Sequence, residues 1–166
     1  MFSFLSSKKT LMGLSLVTFL FFIVVMFVVN PLIDGQDGLS VIQLQLAFHK
    51  QDAITIVQGW NEGGIKRFEK YIISDYMYVF SYTLFFLSVL KFLEQKGAFL
   101  SKYLFVLPVI AGVFDMIENS LEIFFLRDME NFSNSLFLFH SLIATIKWMI
   151  LPVVFFILCV FLLLNL

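Results

Sequence analysis

The chain has 166 residues, 60% of them hydrophobic and 14% charged, with a net charge of −1 and 23 phenylalanines. A soluble domain carries roughly 45–50% apolar and ~25% charged residues, so this composition excludes an ordinary soluble fold and suits side chains that face lipid. The near-neutral charge excludes nucleic acid as a partner, which needs clustered Lys and Arg. The single cysteine, Cys159, excludes an intrachain disulfide and a thiolate metal centre.

In chain order, the first apolar run is Leu11 to Val29, preceded by Lys8 and Lys9 and ended by Asn30-Pro31. It approaches the ~20 residues that cross a ~30 Å hydrocarbon core and exceeds the ~7–15 residues of a signal-peptide core. No small-residue cleavage pattern follows it, so it reads as an uncleaved anchor. Further spans are expected over about 72–92, 103–126 and 135–164. The last is longer than one crossing and should tilt or protrude, and Pro152 in its middle predicts a kink. The sequence therefore predicts a single all-α integral membrane domain, residues 1–166, built as a four-transmembrane-helix bundle.

Orientation follows the basic residues of the short loops. With four spans, Lys8 and Lys9 share a side with Lys91, Lys96 and Lys102, whereas the short 127–134 link sets Arg127 against Asp128 and Glu130. Both termini are expected in the cytoplasm, in a bacterial inner membrane. The extramembrane loop 30–71 then lies on the far side, its five acids and four bases nearly cancelling.

That loop is too long for a plain link between neighbouring helices, which usually takes ~2–8 residues. Ser40 suits a helix N-cap, and Ile42, Leu46, Ala53, Val57 and Trp60 recur at helical spacing. The pattern predicts an amphipathic interfacial helix, lying at the membrane surface or capping the bundle, with Trp60 at headgroup level. Gly63-Gly64 ends it, and Ile65 to Ile73 extends the second span outward.

The informative segment is 111–128. Asp115, Glu118, Asn119 and Glu122 stand at i, i+3, i+4 and i+7, within an arc of roughly 100° on one helix face. The other face carries Val113, Phe114, Ile117, Leu121 and Phe124. An ionised side chain at mid-membrane costs about 2.5–3.5 kcal/mol even on insertion scales, so the acidic face must look into the bundle, a cavity or another subunit. Counting inward from the short 127–134 turn, His140 falls near Glu122, and Lys147 falls level with Asp115 and Glu118. His140, Ala144 and Lys147 share one face of the fourth helix, while Asp75, Tyr78 and Tyr82 share one face of the second. Each member has a bland reading: a register-fixing ion pair for Asp115 with Lys147, an interhelical hydrogen bond for Asn119, partial wetting for Glu122, aromatic packing for the tyrosines. Together they form a candidate site. Asp115, Glu118, Glu122, Lys147 and His140 are its candidate catalytic residues; Asn119, Asp75, Tyr78, Tyr82 and Trp60 are its candidate ligand-binding residues.

Adjacent carboxylates in low dielectric resist double ionisation, so one can hold a proton while its neighbour accepts one, with Lys147 or His140 as a second proton carrier. Such a site suits a protein that binds or acts on a lipid or lipophilic small molecule. A second reading is a proton- or cation-coupled transporter or channel, which needs oligomerisation and a continuous polar path, whereas Leu84–Leu90 and Ile150–Leu164 are nearly all apolar. A third is an accessory subunit whose acids pair with a membrane partner protein. Glu118, Glu122 and His140 are also of a type to ligate a divalent metal, but one histidine with two carboxylates is a weak pattern, and no metal or cofactor is assigned. Phosphate-loop, His-Glu-x-x-His and Gly-x-Ser-x-Gly motifs are absent.

Glu118, Asn119 and Glu122 loosely resemble the intramembrane Glu and Asn residues of bacterial diacylglycerol kinase, but the spacing differs and no residue role carries over. Asp115-Met116-Ile117-Glu118-Asn119, with Asp75 before a Tyr-rich second span, is similar to small four-span bacterial membrane proteins of unassigned function bearing Asp-x-x-Glu-Asn in the third span. The resemblance covers roughly residues 60–125 and implies a shared membrane fold, without an activity.

Overall fold

The computed structural model describes residues 7–24, 27, 39–60 and 62–165, and within them all regular structure is helical. The helices are α1 (Lys8–Val24), α2 (Ser40–Gln45), α3 (Lys50–Gln58), α4 (Gly64–Gln95), α5 (Lys102–Arg127) and α6 (Asn134–Asn165). Three of them, α4, α5 and α6, are long and apolar enough to cross a membrane. Their outward faces carry Met77, Phe80, Val113, Phe124, Met149, Phe155 and Phe156, all exposed. So much unsheathed apolar surface requires lipid around it, and the chain is a helical membrane protein. Residues 25–26 and 28–38, including the end of the first expected span and Asn30-Pro31, lie outside the described residues.

Local chemistry sets the helix ends. The Ser101 hydroxyl accepts a hydrogen bond from the Tyr103 amide at the start of α5 (3.4 Å). Before α4 the chain turns through Gly63 at φ 76°, a left-handed conformation that glycine adopts without a Cβ penalty. Both α5 and α6 run on through a proline, Pro108 and Pro152.

The expected single helix over 40–60 is two. The α2 helix begins at Ser40, with Leu39 rather than Ser40 at the cap position, and the chain breaks at Phe48, whose φ is 55°. The expected face holds in α3, where Ala53 and Val57 are buried, but not in α2, where Val41 and Leu44 are buried, Ile42 is half-buried and Leu46 is exposed, because the break at Phe48 turns α2 separately onto the bundle. Val41 and Leu44 of α2 and Ala53 and Val57 of α3 pack in one cluster with Trp60, Phe68, Phe125 and Phe137. The apolar faces are thus turned onto the bundle. Lys50 fixes this cap to the α5–α6 turn, donating to the carbonyls of Glu130 (2.9 Å) and Phe132 (3.1 Å).

The α6 helix packs along α5, α5 along α4, and α1 along α4. Contact between α1 and α4 is marked by the Thr18 and Ser81 hydroxyls, 3.0 Å apart, and by the Phe21 and Tyr78 rings. Away from the cap, a second apolar cluster built on Tyr82, Phe86, Leu90, Leu93, Val154 and Leu158 fills the other half of the bundle. Between the two clusters α4 and α5 approach at Gly112, where a Cβ would meet the Thr83 Oγ1 at 2.5 Å. Gly112→Ala should already cost stability, because Thr83 is β-branched and its Oγ1 cannot simply swing clear of a Cβ at 2.5 Å. Gly112→Leu must push the helices apart, and a loss of about 1–3 kcal/mol is expected in detergent unfolding.

Candidate functional site

Helical periodicity places the acidic face of α5 inward. Asp115, Glu118, Asn119 and Glu122 are all buried, whereas Val113, Ile117 and Phe124 are exposed. The short turn after Arg127 returns the chain antiparallel, so His140, Ala144 and Lys147 of α6 face that stripe and are buried as well. Asp75 and Tyr82 on α4 close the third side. The site lies in the half of the bundle nearer the α2–α3 cap.

Two connected polar groups result. In the first, Lys147 donates to Asp115 Oδ1 (3.1 Å) and pairs with Glu118 Oε2 (2.8 Å). The Tyr82 hydroxyl donates to the other Asp115 oxygen (2.8 Å), and the Lys147 ammonium lies 5.2 Å from the Trp148 ring centroid. In the second, Asp75 accepts from the Asn119 amide (2.7 Å) and from the Tyr71 hydroxyl (2.8 Å). Both Asp75 and Asp115 therefore have each oxygen engaged by a donor, the condition under which a buried carboxylate is tolerated. One lysine serves two acids, with the Asp75 and Glu122 carboxyl groups also nearby. Among the described buried residues there are thus four carboxyl groups and one lysine.

A cavity of about 160 Å³ opens against the first group. Its polar floor is Tyr71, Asp75, Tyr82, Asp115 and Lys147, and its walls include Phe22 of α1, Ile42 and Gln45 of α2, and Trp148 and Leu151 of α6. Gln45 is fixed by the Trp148 indole, which donates to its Oε1 (3.0 Å). Tyr78 also lines the cavity, its ring edge-on to Tyr82 at 5.4 Å. Outside the lining, towards the α5–α6 turn, His140 Nε2 stands 3.4 Å from Glu122 Oε1, with the Phe137 ring beside the imidazole.

Nine of the ten sequence-chosen residues come together here. Trp60 does not: it is only 8% exposed and sits in the cap's apolar cluster, its ring 5.1 Å from that of Phe68. Besides the apolar wall residues, three hydrogen-bonding residues of the lining were missed in the sequence, namely Tyr71, Gln45 and Trp148. Tyr71 carried a signal, since it stands at i−4 from Asp75 and so on the same helix face. Gln45 and Trp148 carried none, because only the folding of α2 back onto α6 brings them together. Chemically, the cavity offers a fixed ammonium, two hydrogen-bonded carboxylates and three phenols beside apolar side chains. Such a floor can hold a polar head and exchange protons with it. No family model matches the chain, and no curated protein or solved structure is significantly similar to it.

Proposed function

We propose that this is a four-span protein of the bacterial inner membrane, with α1 as the fourth span and both termini cytoplasmic, whose cavity in the outer half of the bilayer binds a lipid or lipophilic small molecule. The observation that carries the reading is the cavity's construction, with apolar walls from α1, α2 and α6 and an ionic floor of Asp75, Asp115 and Lys147. Pockets of this kind use few polar groups to orient a ligand and apolar walls to bind it. A volume of about 160 Å³ is near that of engineered cavities that take a benzene-sized guest. The polar end and first few methylenes of a ligand would enter, with the remaining chain lying along the apolar outside of the bundle. The Tyr82–Asp115–Lys147–Glu118 array suits proton transfer to or from that polar end. A through-membrane proton or cation path has less support, because the half of the bundle beyond Tyr82 is filled by Phe86, Leu90, Leu93, Val154 and Leu158.

Photolabelling of the protein in native membranes with a fatty acid carrying a diazirine near its carboxyl end tests this. Labelled peptides are expected to contain Ile42, Tyr78, Trp148 or Leu151, and an excess of unlabelled fatty acid should deplete the label. Label spread over the outward residues Phe80, Phe124 and Phe156 without competition would reject a specific site.

A further inference from the structure

We propose a second site, for a divalent transition-metal ion of the zinc or manganese class, held by Glu118 and Glu122 of α5 and His140 of α6. It lies outside the cavity lining, nearer the α5–α6 turn, and does not rest on the lipid reading. One ligand atom from each of the three residues lies within 4.8 Å of the others, and all three side chains are buried. Relative exposures are 0% for Glu118, 1% for Glu122 and 1% for His140.

Geometry first supports this. A tetrahedral ion with ligand bonds of about 2.0–2.2 Å holds its ligand atoms about 3.3–3.6 Å apart. The His140 Nε2–Glu122 Oε1 separation is already 3.4 Å. The widest spacing, at most 4.8 Å, must close by no more than about 1.5 Å, within reach of a side-chain torsion.

The second support is independent of the clustering. Neither oxygen of Glu122 nor Nε2 of His140 meets a hydrogen-bond partner among the described protein atoms. The Gln45 amide lies beside Glu122 without reaching hydrogen-bond geometry. Buried polar atoms are normally satisfied, and these three belong to two of the clustered residues. Around them lie the four acids Asp75, Asp115, Glu118 and Glu122, with Lys147 the only permanent cation among the described buried residues. A divalent ion would favour the ionised form of these carboxyl groups. Outer groups suited to such a site are also present. The Ser141 hydroxyl lies 3.5 Å from His140 Nδ1 and can orient the ring so that Nε2 faces the ion, and Lys147 holds Glu118 Oε2, leaving Oε1 for the metal. One imidazole with two carboxylates selects a borderline divalent ion over Mg²⁺ or Ca²⁺, which favour all-oxygen sites.

The test uses the full chain in detergent, purified without a histidine tag, stripped with a chelator and titrated separately with Zn²⁺, Mn²⁺ and Co²⁺. One ion per chain is expected by elemental analysis for Zn²⁺ or Mn²⁺. Co²⁺ should develop visible d–d absorption, and Tm should rise by about 5–10 °C at a metal concentration roughly 100 times Kd. Glu122→Gln should abolish all three signals while leaving metal-free Tm unchanged or higher, and Glu122→Asp should restore part of the binding. His49→Ala removes the chain's only other histidine and should leave binding intact. A folded wild-type chain that takes up less than about a tenth of an ion and shows no Tm shift would overturn the proposal, with protons then balancing the acids. Binding that follows His49 rather than Glu122 would overturn it equally.

Discussion

Lys147→Met is expected to destabilise the protein by about 3–5 kcal/mol, the cost of removing one partner from a buried ionic group and leaving the other behind. Here the loss strands two carboxylates, since the same ammonium holds Asp115 at 3.1 Å and Glu118 at 2.8 Å. Adding Asp115→Asn and Glu118→Gln to Lys147→Met should recover most of the stability, because the triple variant no longer carries the two carboxylates that the ammonium holds. Thermal unfolding in detergent reads both effects. At roughly 2–4 °C per kcal/mol for a chain of this size, the single variant should lose about 6–20 °C. An equal loss in the triple variant would mean that the ammonium acts through packing alone. The comparison also separates structure from function. If the acids only fix helix register, the triple variant should still retain any ligand that the wild type carries. If Asp115 and Lys147 form the floor of the binding cavity, it folds and binds nothing.

Phe68→Ala should cost a similar amount, about 3–5 kcal/mol, through a different mechanism. Phe68 is fully buried on α4, its ring 5.1 Å from Trp60 and 5.8 Å from Tyr71. It is one of the core residues on which the α2–α3 cap packs. Truncation leaves a cavity under the cap and removes the ring against which Tyr71 packs. Residues 39–63 should then become the first site of limited proteolysis, before α4, α5 or α6 is cut. Ligand retention should fall as well, since α2 supplies Ile42 and Gln45 to the cavity wall. An Arg127→Ala variant is a useful contrast. Its ion pair with Glu69 spans 3.3 Å with the arginine side chain 66% exposed, and such surface pairs contribute about 0–1 kcal/mol.

The placement of the site was legible because charge in an apolar helix is costly and helical periodicity is regular. Asp115, Glu118, Asn119 and Glu122 could be put on one inward face from their spacing, and the short 127–134 turn set His140 and Lys147 at matching depths. What spacing does not carry is reach. That Lys147 bridges Asp115 and Glu118 depends on the torsions of a long side chain packed against Trp148. That Tyr71, rather than Tyr78, donates to Asp75 depends on how Phe68 sets the Tyr71 ring. The break at Phe48 left no compositional trace, since Ile42, Leu46, Ala53 and Val57 keep helical spacing across it. Trp60 was assigned by composition to a headgroup environment or a site, whereas the left-handed turn at Gly63 and the start of α4 bring it onto Phe68. Chain organisation followed from hydropathy, with α4, α5 and α6 matching the three later spans to within a few residues, apart from the outward extension of α4 that Ile65–Ile73 indicated.

Native mass spectrometry of the wild-type chain, released from gently extracted membranes, is the most direct measurement of ligand binding in the cavity. Ile42→Trp and Leu151→Trp, which fill the cavity from α2 and from α6, are run beside it. The expected spectrum shows one lipophilic adduct per wild-type chain, absent from both variants, each of which elutes as a folded protein. Wild-type chains free of any adduct, or an adduct kept equally by both cavity-filling variants, would contradict ligand binding at the Tyr82–Asp115–Lys147 floor.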